Sequence, residues 1–158
     1  MNIKVRCACP KDGPEVIRLL GQIGKLHSEG RPDIYRDNIR KYSQAEFEAK
    51  IKSESEPVLV AVDEDDNVLG HVFGVLNVRE NHPTMRDMRI MYIDDLCVDE
   101  ACRGQGIGRA LMNAICAVAK EMNCTKIDLN VWEFNTSAIK FYEACGMKTF
   151  RRHLELDI

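Results

Sequence analysis

The sequence predicts one α/β (α+β) domain that spans residues 1–158 and combines a sheet with about four helices. A chain of 158 residues, of which 45% are apolar, is long enough for one domain with a substantial core. Runs of alternating apolar residues and longer runs with helical spacing follow one another along the chain. No repeat, low-complexity segment or linker divides the sequence.

The N-terminal part of the chain predicts a strand and two helices. Alternation predicts the strand at Ile3–Ala8. Apolar residues at helical spacing predict a helix over residues 16–26, with Asp12 or Gly13 near its N-cap. A capping box predicts a second, short helix over residues 43–53.

The middle of the chain predicts a β-hairpin. Its strands are Pro57–Val62 and Val68–Arg79, and the acidic turn Asp63–Asn67 joins them. Gly70 and Gly74 interrupt the second strand, which indicates close packing or a bulge at these positions.

The remaining elements alternate between strand and helix. They are a strand at Met88–Val98, a helix from about Gly106 to Asn123, a strand at Lys126–Val131, a helix that Asn135 caps and Gly146 closes, and a final strand at Met147–Leu156.

Composition and charge narrow the classes of function. The net charge of -3 argues against non-specific nucleic-acid binding and is compatible with a cationic substrate. No apolar window is long enough to span a membrane, and the N-terminus lacks the apolar core of a signal peptide. The seven cysteines, an odd number, predict reduced thiols in the cytoplasm. The four histidines lack metal-ligand spacing, so we expect no metal.

A glycine-rich turn between a strand and a helix predicts an anion site. The turn reads Arg103-Gly104-Gln105-Gly106-Ile107-Gly108. Glycines allow the backbone to approach a phosphate closely, and the free N–H groups at a helix N-terminus point towards it. The dinucleotide fingerprint is broken because Arg109 stands where its third glycine belongs, and the Gly-Lys-Ser/Thr ending of a Walker loop is absent.

Two motifs resemble the GNAT family of N-acetyltransferases. The spacing R-x-x-G-x-G from Arg103 to Gly108 resembles the acyl-CoA pyrophosphate loop of that family, and N-x-x-A-x-x-F-Y-x-x-x-G-M from Asn135 to Met147 resembles its closing motif. The resemblance implies a single-domain fold with a mixed, mostly antiparallel central sheet flanked by about four helices. It also implies a splayed strand pair that holds acyl-CoA.

The resemblance implies how acetyl-CoA, the acyl donor, is held. The backbone from Arg103 to Gly108 would bind the pyrophosphate, and the pantetheine arm would lie along the strand at Leu96, Cys97 and Val98. A bulge in this strand would open the gap beside it, and a backbone N–H near Leu96 or Cys97 would polarise the thioester carbonyl. Asn135 would contact the arm or order a water there.

The resemblance also implies two catalytic residues. Tyr142 occupies the family position of the general acid that protonates the leaving thiolate. Asp94 matches the position of the acidic residue proposed as base in polyamine acetyltransferases, directly or through a water. Regular pairing would allow only one of Asp94 and Asp95 to face the cleft. Cys97 is interpreted as a packing residue, because no histidine at a recognisable base position accompanies it.

Two segments of the sequence bear on the acceptor. Tyr92–Leu96 and Trp132–Asn135 most resemble the polyamine and diamine acetyltransferases of the family, which favours a small cationic primary amine that attacks directly in a ternary complex. Candidate substrate residues are His27, Asp33, Tyr35 and Asp95.

Two other functions stay open at this point, namely a protein N-terminal or lysine acetyltransferase and a non-catalytic acyl-CoA-binding regulator. An amino-sugar antibiotic is a further small-molecule acceptor, and a nucleotide-binding domain is disfavoured by the broken fingerprint. Family habit implies a homodimer, and the cysteines predict a cytoplasmic location.

Overall fold

A computed structural model, which describes residues 2–37 and 40–158, shows a five-stranded sheet and four α-helices in these parts of the chain. The elements are β1 (Lys4–Cys7), α1 (Gly13–Gly30), α2 (Gln44–Lys50), β2 (Val58–Val62), β3 (Val68–Arg79), β4 (Met88–Val98), α3 (Ile107–Glu121), β5 (Lys126–Leu129) and α4 (Thr136–Ala144). The predicted α/β (α+β) class is therefore confirmed.

The sheet has the strand order β1-β2-β3-β4-β5, in which the first four strands are antiparallel and β4 pairs with β5 in parallel. The parallel pairing runs from Ile90 to Ile93 on β4 and ends at Leu129 on β5. Because β4 continues to Val98 without β5 beside it, the two strands separate at one end. The mixed, mostly antiparallel sheet and the splayed strand pair are both confirmed.

A β-bulge in β4 lies where the two strands separate. Asp95 pairs with Phe73 and Ile93 pairs with Gly74, so Asp94 between them has no partner on β3. The extra residue reverses the alternation of side chains: Ile93 belongs to the core on one face of the sheet, whereas Cys97 belongs to the core on the other. The pairing is therefore not regular at this point, and the side chains of both Asp94 and Asp95 reach one ammonium, that of Lys41.

Two apolar clusters cover the two faces of the sheet. On one face, α3 contributes Ile107, Leu111 and Ile115, and Phe141 of α4 packs at the edge of this cluster. On the other face, α1 and α2 cover the sheet with four buried apolar side chains, Val16, Leu19, Leu20 and Phe47. The helices therefore hold β4 from both sides and fix the position of its bulge.

The helix ends follow the predicted signals. Ser43 and Glu46 form a reciprocal capping box at the start of α2, and the Asn135 side chain accepts a hydrogen bond from the backbone N–H of Ala138 at 3.2 Å. Asp12 is the N-cap residue of α1. Gly146 closes α4 with a φ of 88°, in the left-handed region that glycine favours.

The structure differs from the sequence prediction at two strands. The strand expected at Lys126–Val131 ends at Leu129. The final strand expected at Met147–Leu156 does not form, and residues 147–158 have no regular secondary structure. A strand needs a neighbouring ladder as well as a suitable pattern, and this segment has none among the described residues.

Among the described residues, no helix combines the length and the apolar character needed to cross a membrane. The same residues contain no group of three or more His, Cys, Asp or Glu side chains arranged to hold a metal ion.

Two glycines should respond oppositely to alanine. A Cβ at Gly70 would lie 2.7 Å from the backbone oxygen of Cys97, whereas a Cβ at Gly21 in α1 would meet nothing within 4 Å. We expect Gly70→Ala to lower the free energy of unfolding by about 1–3 kcal/mol through overpacking. We expect Gly21→Ala to raise it by about 0.5–1 kcal/mol because alanine favours the helix. Urea unfolding measures both, and a loss of stability in Gly21→Ala or none in Gly70→Ala would contradict this packing.

Candidate functional site

The turn before α3 exposes a row of backbone N–H groups. Gly104 and Gly106 adopt φ values of 78° and 83°, which only glycine adopts readily. Within the described residues, the N–H groups from Arg103 to Gly108 donate no hydrogen bond to the chain, and the N-cap Gly106 has no side chain to bind them. Unpaired N–H groups at the positive end of a 15-residue helix form an anion site.

Neighbouring contacts fix this turn against β4 and α4. Arg103 Nε donates to the backbone oxygen of Val98 at 3.3 Å, and Arg109 Nη2 donates to the backbone oxygen of Ala144 at 2.7 Å. A Cβ at Gly108 would lie 3.2 Å from the Phe141 ring, so the glycine lets α4 pack closely against α3. These contacts hold the turn and the start of α3 against the end of β4 and against α4.

The separated end of β4 has a free hydrogen-bonding edge. The backbone N–H of Asp99 donates to Leu69 on β3 at 2.9 Å, and the Cys97 oxygen also points towards β3, where it lies close to Gly70. Successive residues of a strand direct their backbone groups to opposite sides. The N–H and C=O groups of Leu96 and Val98 therefore point into the gap that β5 leaves open.

Cys97 lies on the buried side of β4. Its thiol contacts the backbone oxygen of Leu19 at 3.6 Å. Burial, followed by the negative charge of Asp95, raises the pKa of Cys97 to about 12. The side chain therefore stays a neutral thiol at physiological pH, which supports its interpretation as packing.

Two carboxylates converge on one ammonium at the bulge. Lys41 Nζ lies 3.1 Å from Asp94 Oδ2 and 3.3 Å from Asp95 Oδ2. Asp95 is 8% exposed, whereas Asp94 is open to solvent and the Lys41 side chain keeps 40% of its exposure. Burial lowers the pKa of Lys41, but the charges of Asp95 and Asp94 outweigh it and raise the pKa, so the ammonium stays charged.

A fully buried histidine supports the inner carboxylate. His71 Nε2 lies 3.0 Å from Asp95 Oδ1, and His71 Nδ1 has no hydrogen-bond partner among the described residues. Burial raises the pKa of Asp95, but the hydrogen bond from His71 and the charges of His71 and Lys41 bring it below its ordinary value. The carboxylate is therefore ionised at neutral pH.

Sequence reasoning missed both His71 and Lys41. The one available signal for His71 was its hairpin register: it pairs with Cys97, which makes it a diagonal neighbour of Asp95. Lys41 comes from the segment before α2, and the sequence carries no signal that would direct it to β4.

Aromatic side chains from α1, the segment after it and the segment after β5 form a cluster. The rings of His27 and Tyr35 lie 5.0 Å apart, and Trp132 Nε1 donates to the Tyr35 hydroxyl at 3.1 Å. Burial lowers the pKa of His27, and the negative charge of Asp95 partly opposes this effect. The structure thus brings His27 and Tyr35, two of the three candidate substrate residues between positions 27 and 35, into one cluster.

Asp33, the third residue expected there, pairs with a neighbouring arginine. Its carboxylate binds the Arg31 guanidinium, with 2.6 Å between Nη2 and Oδ2, and the side chain is exposed. Arg31 in turn lies over the Trp132 ring at 5.2 Å. Asp33 is therefore joined to the aromatic cluster only through Arg31.

Asn135 is the N-cap residue of α4, and Tyr142 lies in the second half of this helix. Burial, followed by the charge of Asp95, raises the pKa of Tyr142 to about 12, so the phenol is protonated at physiological pH. Asn135 Oδ1 accepts hydrogen bonds from the Ala138 N–H and the Ser137 hydroxyl. Only the amide nitrogen of Asn135 remains available to a ligand.

Comparison with known proteins identifies the class of the domain. The family model described as "Acetyltransferase (GNAT) family" matches residues 25–147. Similar curated proteins include glucosamine 6-phosphate N-acetyltransferase from Trypanosoma brucei brucei, with 33% identity over 42% of this chain and 44% of the relative. Thialysine N-epsilon-acetyltransferase from Bos taurus is 34% identical over 37% of this chain and 34% of the relative. The chain thus matches less than half the length of these two relatives.

Solved structures extend the likeness to the whole chain. A mutant of the BH1408 protein from Bacillus halodurans is 36% identical, with a TM-score of 0.94 over 98% of this chain and 99% of that one. Glucosamine-6-phosphate N-acetyltransferase from Arabidopsis thaliana has a TM-score of 0.72 at 19% identity over 99% of each chain, which shows a shared fold.

The buried carboxylate predicts a specific acid sensitivity. Because the pKa of Asp95 is lower in the folded chain than its unfolded value of about 3.9, its stabilisation is complete above that value and is lost as the pH falls through the folded pKa. We expect Asp95→Asn to be less stable than wild type at pH 7. Its free energy of unfolding should fall less steeply below about pH 4, by up to about 1.4 kcal/mol per pH unit. Urea unfolding across pH measures this, and parallel curves would contradict it.

Proposed function

The chain belongs to the acetyltransferase (GNAT) family, and on this premise we propose that it transfers the acetyl group of acetyl-CoA to a primary amine, with a small cationic amine as the acceptor. The observation that carries the proposal is the pair Asp94 and Asp95, which already holds one primary ammonium, that of Lys41, at the separated end of β4.

The free N–H groups of the turn suit the diphosphate of the donor. Those from Arg103 to Gly108 have no acceptor among the described residues, and the N-terminus of α3 adds its dipole. Arg103, whose Nε is held by Val98, adds a positive charge beside the turn. An added anion would therefore satisfy donors that the fold leaves open.

The free edge of β4 suits the amide-bearing arm of the donor. Its open backbone groups are the N–H and C=O of Leu96 and the N–H of Val98, because the Val98 oxygen already accepts a hydrogen bond from Arg103. The backbone of Cys97 is turned towards β3. Of the two N–H groups expected from the sequence to polarise the thioester carbonyl, we therefore assign that of Leu96. The free amide nitrogen of Asn135 is assigned to the same arm.

Tyr142 is assigned to the leaving thiolate. With a pKa of about 12, its hydroxyl keeps its proton, whereas an ordinary thiol has a pKa of about 8.5. Full proton transfer from the phenol to the thiolate would therefore be unfavourable, because the phenol has the higher pKa. Tyr142 acts first as a hydrogen-bond donor to the charge that develops on sulfur.

The acid pair is assigned to the acceptor amine. Asp94, exposed at the bulge, accepts the proton that the ammonium must lose, directly or through one water. Asp95, ionised and held by His71, attracts the positive charge. The aromatic rings of His27, Tyr35 and Trp132 offer an apolar wall for the rest of the acceptor.

The attack of the neutral amine on the thioester carbonyl forms the new C–N bond directly. Cleavage of the C–S bond then releases the thiolate of CoA, whose charge the Tyr142 hydroxyl stabilises by a hydrogen bond. The nitrogen, positively charged after the attack, loses its extra proton to water, and the thiolate takes up a proton from water to give the thiol. No acyl group passes through Cys97, whose thiol is buried and neutral. The names of the relatives support amines as acceptors, because thialysine and glucosamine 6-phosphate both carry one. We propose further that the chain acts as a cytoplasmic homodimer, which the seven free cysteines support for the compartment.

A labelled-acetyl experiment tests the proposed acceptor class. Purified chain is incubated with acetyl-labelled acetyl-CoA and, separately, a diamine, a basic amino acid, an amino sugar and a lysine-containing peptide. Label in the diamine or the basic amino acid supports the proposal. Label in the peptide alone would favour a protein acetyltransferase, and no label with any acceptor, despite acetyl-CoA binding, would favour a regulator.

Removing the Tyr142 hydroxyl should slow turnover. We expect Tyr142→Phe to lower kcat about 10²-fold with little change in KM, because the hydroxyl acts mainly when charge develops on sulfur. Tyr92→Phe is the matched control, since the Tyr92 hydroxyl contacts Asn130 where β4 and β5 remain paired. Steady-state kinetics measures both, and wild-type turnover in Tyr142→Phe would remove this residue from the mechanism.

Removing the charge of Lys41 should strengthen the binding of a cationic acceptor. Lys41 competes for the acid pair, so we expect Lys41→Gln to lower KM for a cationic amine about two- to five-fold, as for a partly exposed ion pair. The KM for acetyl-CoA should not change. Lys120→Gln removes an exposed charge from the end of α3 and serves as control. A higher acceptor KM in Lys41→Gln would show that Lys41 helps to bind the acceptor and does not compete with it.

A further inference from the structure

One lysine of the chain occupies the place that the proposed function gives to the acceptor. Lys41 Nζ lies 3.1 Å from Asp94 Oδ2 and 3.3 Å from Asp95 Oδ2. Lys41 carries a primary ammonium on an aliphatic chain, which is the chemical group of the proposed acceptor class. Its side chain is also partly exposed. The chain therefore holds a candidate acceptor of its own at the acid pair.

The two residues after Lys41 direct it to the bulge. The Tyr42 ring stacks on the Phe73 ring, with 6.0 Å between their centroids, and Phe73 is the partner of Asp95 across β3 and β4. The next residue, Ser43, is the N-cap of α2, where a reciprocal capping box fixes the backbone. The position of Lys41 therefore depends on packing and capping as well as on its ion pair.

The N–H group assigned to the thioester carbonyl lies close to this ammonium along β4. That N–H belongs to Leu96, the residue directly after Asp95. A strand rises about 3.3 Å per residue, so one step along the strand separates the acid that holds Nζ from the group that would hold the carbonyl. A lysine side chain has a flexible four-carbon stem, which covers such a distance by rotamer changes.

We propose that Lys41 is a modification site, and that the chain transfers an acetyl group from its own bound acetyl-CoA to Lys41 Nζ when no acceptor amine is present. This inference rests on the proposed function, because it uses the same donor and the same acid pair. Lys41 and an added amine then compete for one acetyl group, and a saturating amine protects Lys41 from modification.

The transfer to Lys41 follows the same steps as the transfer to an added amine. Asp94 takes one proton from the Lys41 ammonium, and the neutral Nζ attacks the thioester carbonyl. The C–N bond forms, the C–S bond breaks, and CoA leaves as the thiolate. The nitrogen then loses its second proton to water, the thiolate takes up a proton from water, and Asp94 returns its proton to the solvent. The products are an uncharged amide on Lys41 and free CoA.

Acetylation of Lys41 changes the charge at the acid pair. The amide carries no positive charge, so it no longer forms an ion pair with Asp94 and Asp95. Asp95 keeps its contact with His71, at 3.0 Å from Nε2 to Oδ1. The acid pair is then open to an added ammonium, and the modified chain binds a cationic amine more tightly than the unmodified chain. Lys41 thus acts as a switch that the donor sets when the acceptor is scarce.

Peptide mapping by mass spectrometry tests the modification. The full chain is incubated with acetyl-labelled acetyl-CoA and no amine. Lys41 should gain the label first, at a rate per chain that does not depend on protein concentration, and Tyr142→Phe should slow this gain about 10²-fold. Lys11, whose side chain is 65% exposed against 40% for Lys41, is the control for spontaneous acetylation. Label at Lys11 as fast as at Lys41, or a rate that rises with protein concentration, would overturn the proposal.

A parallel reaction with a diamine separates this inference from the proposed function. Label in the diamine and none at Lys41 in the amine-free reaction would overturn the inference and leave the proposed function standing, whereas label in neither would overturn both. Incubation with acetyl-CoA before the assay should lower KM for the diamine about two- to five-fold in wild type and should have no effect in Lys41→Gln. An unchanged KM in a wild type that carries acetyl-Lys41 would overturn the switch.

Discussion

The bulge at Asp94 is the constraint on which the rest of the site depends. One residue without a partner on β3 shifts the register of β4 and reverses the faces of its side chains. At the same place the pairing with β5 ends, so the strand beyond the bulge has a free backbone edge. The acid pair, the open edge and the anion-binding turn therefore lie along one strand, in an order set by a single irregularity.

Charge is distributed asymmetrically along this strand. The bulge carries two carboxylates, and the C-terminal end of the strand leads into a turn with free N–H groups and Arg103. Burial of Asp95 is unfavourable by itself, and His71 and Lys41 compensate for it. Of these two groups Lys41 is partly exposed, whereas His71 is fully buried. Under the proposed function an acceptor ammonium would replace Lys41, and His71 would keep Asp95 paired, so stability and substrate binding would be coupled at this position.

The sequence predicted features that depend on local chemistry. The glycines before α3, the Ser43 capping box and the Asn135 cap follow from backbone needs within a few residues, and the structure shows each of them. Features that depend on distant partners could not be predicted. His71 is defined by its register against β4, and Lys41 by the path of a loop. The expected strand at Met147–Leu156 failed for the same reason, because a strand also needs a neighbouring ladder and this segment has none among the described residues.

Ligand-dependent thermal unfolding tests the central claim most directly. The midpoint of the full chain is measured alone and with acetyl-CoA, CoA, NAD or ATP, in wild type and in Gly106→Val, which is strained at a φ of 83°. A ligand at about 100 times its dissociation constant adds about 2.7 kcal/mol of stability. The account predicts an upward shift of wild type with acetyl-CoA and CoA only, and a smaller shift in the variant. No shift with either, or an equal shift with ATP, would contradict the assignment of Arg103–Gly108 as the acyl-CoA site.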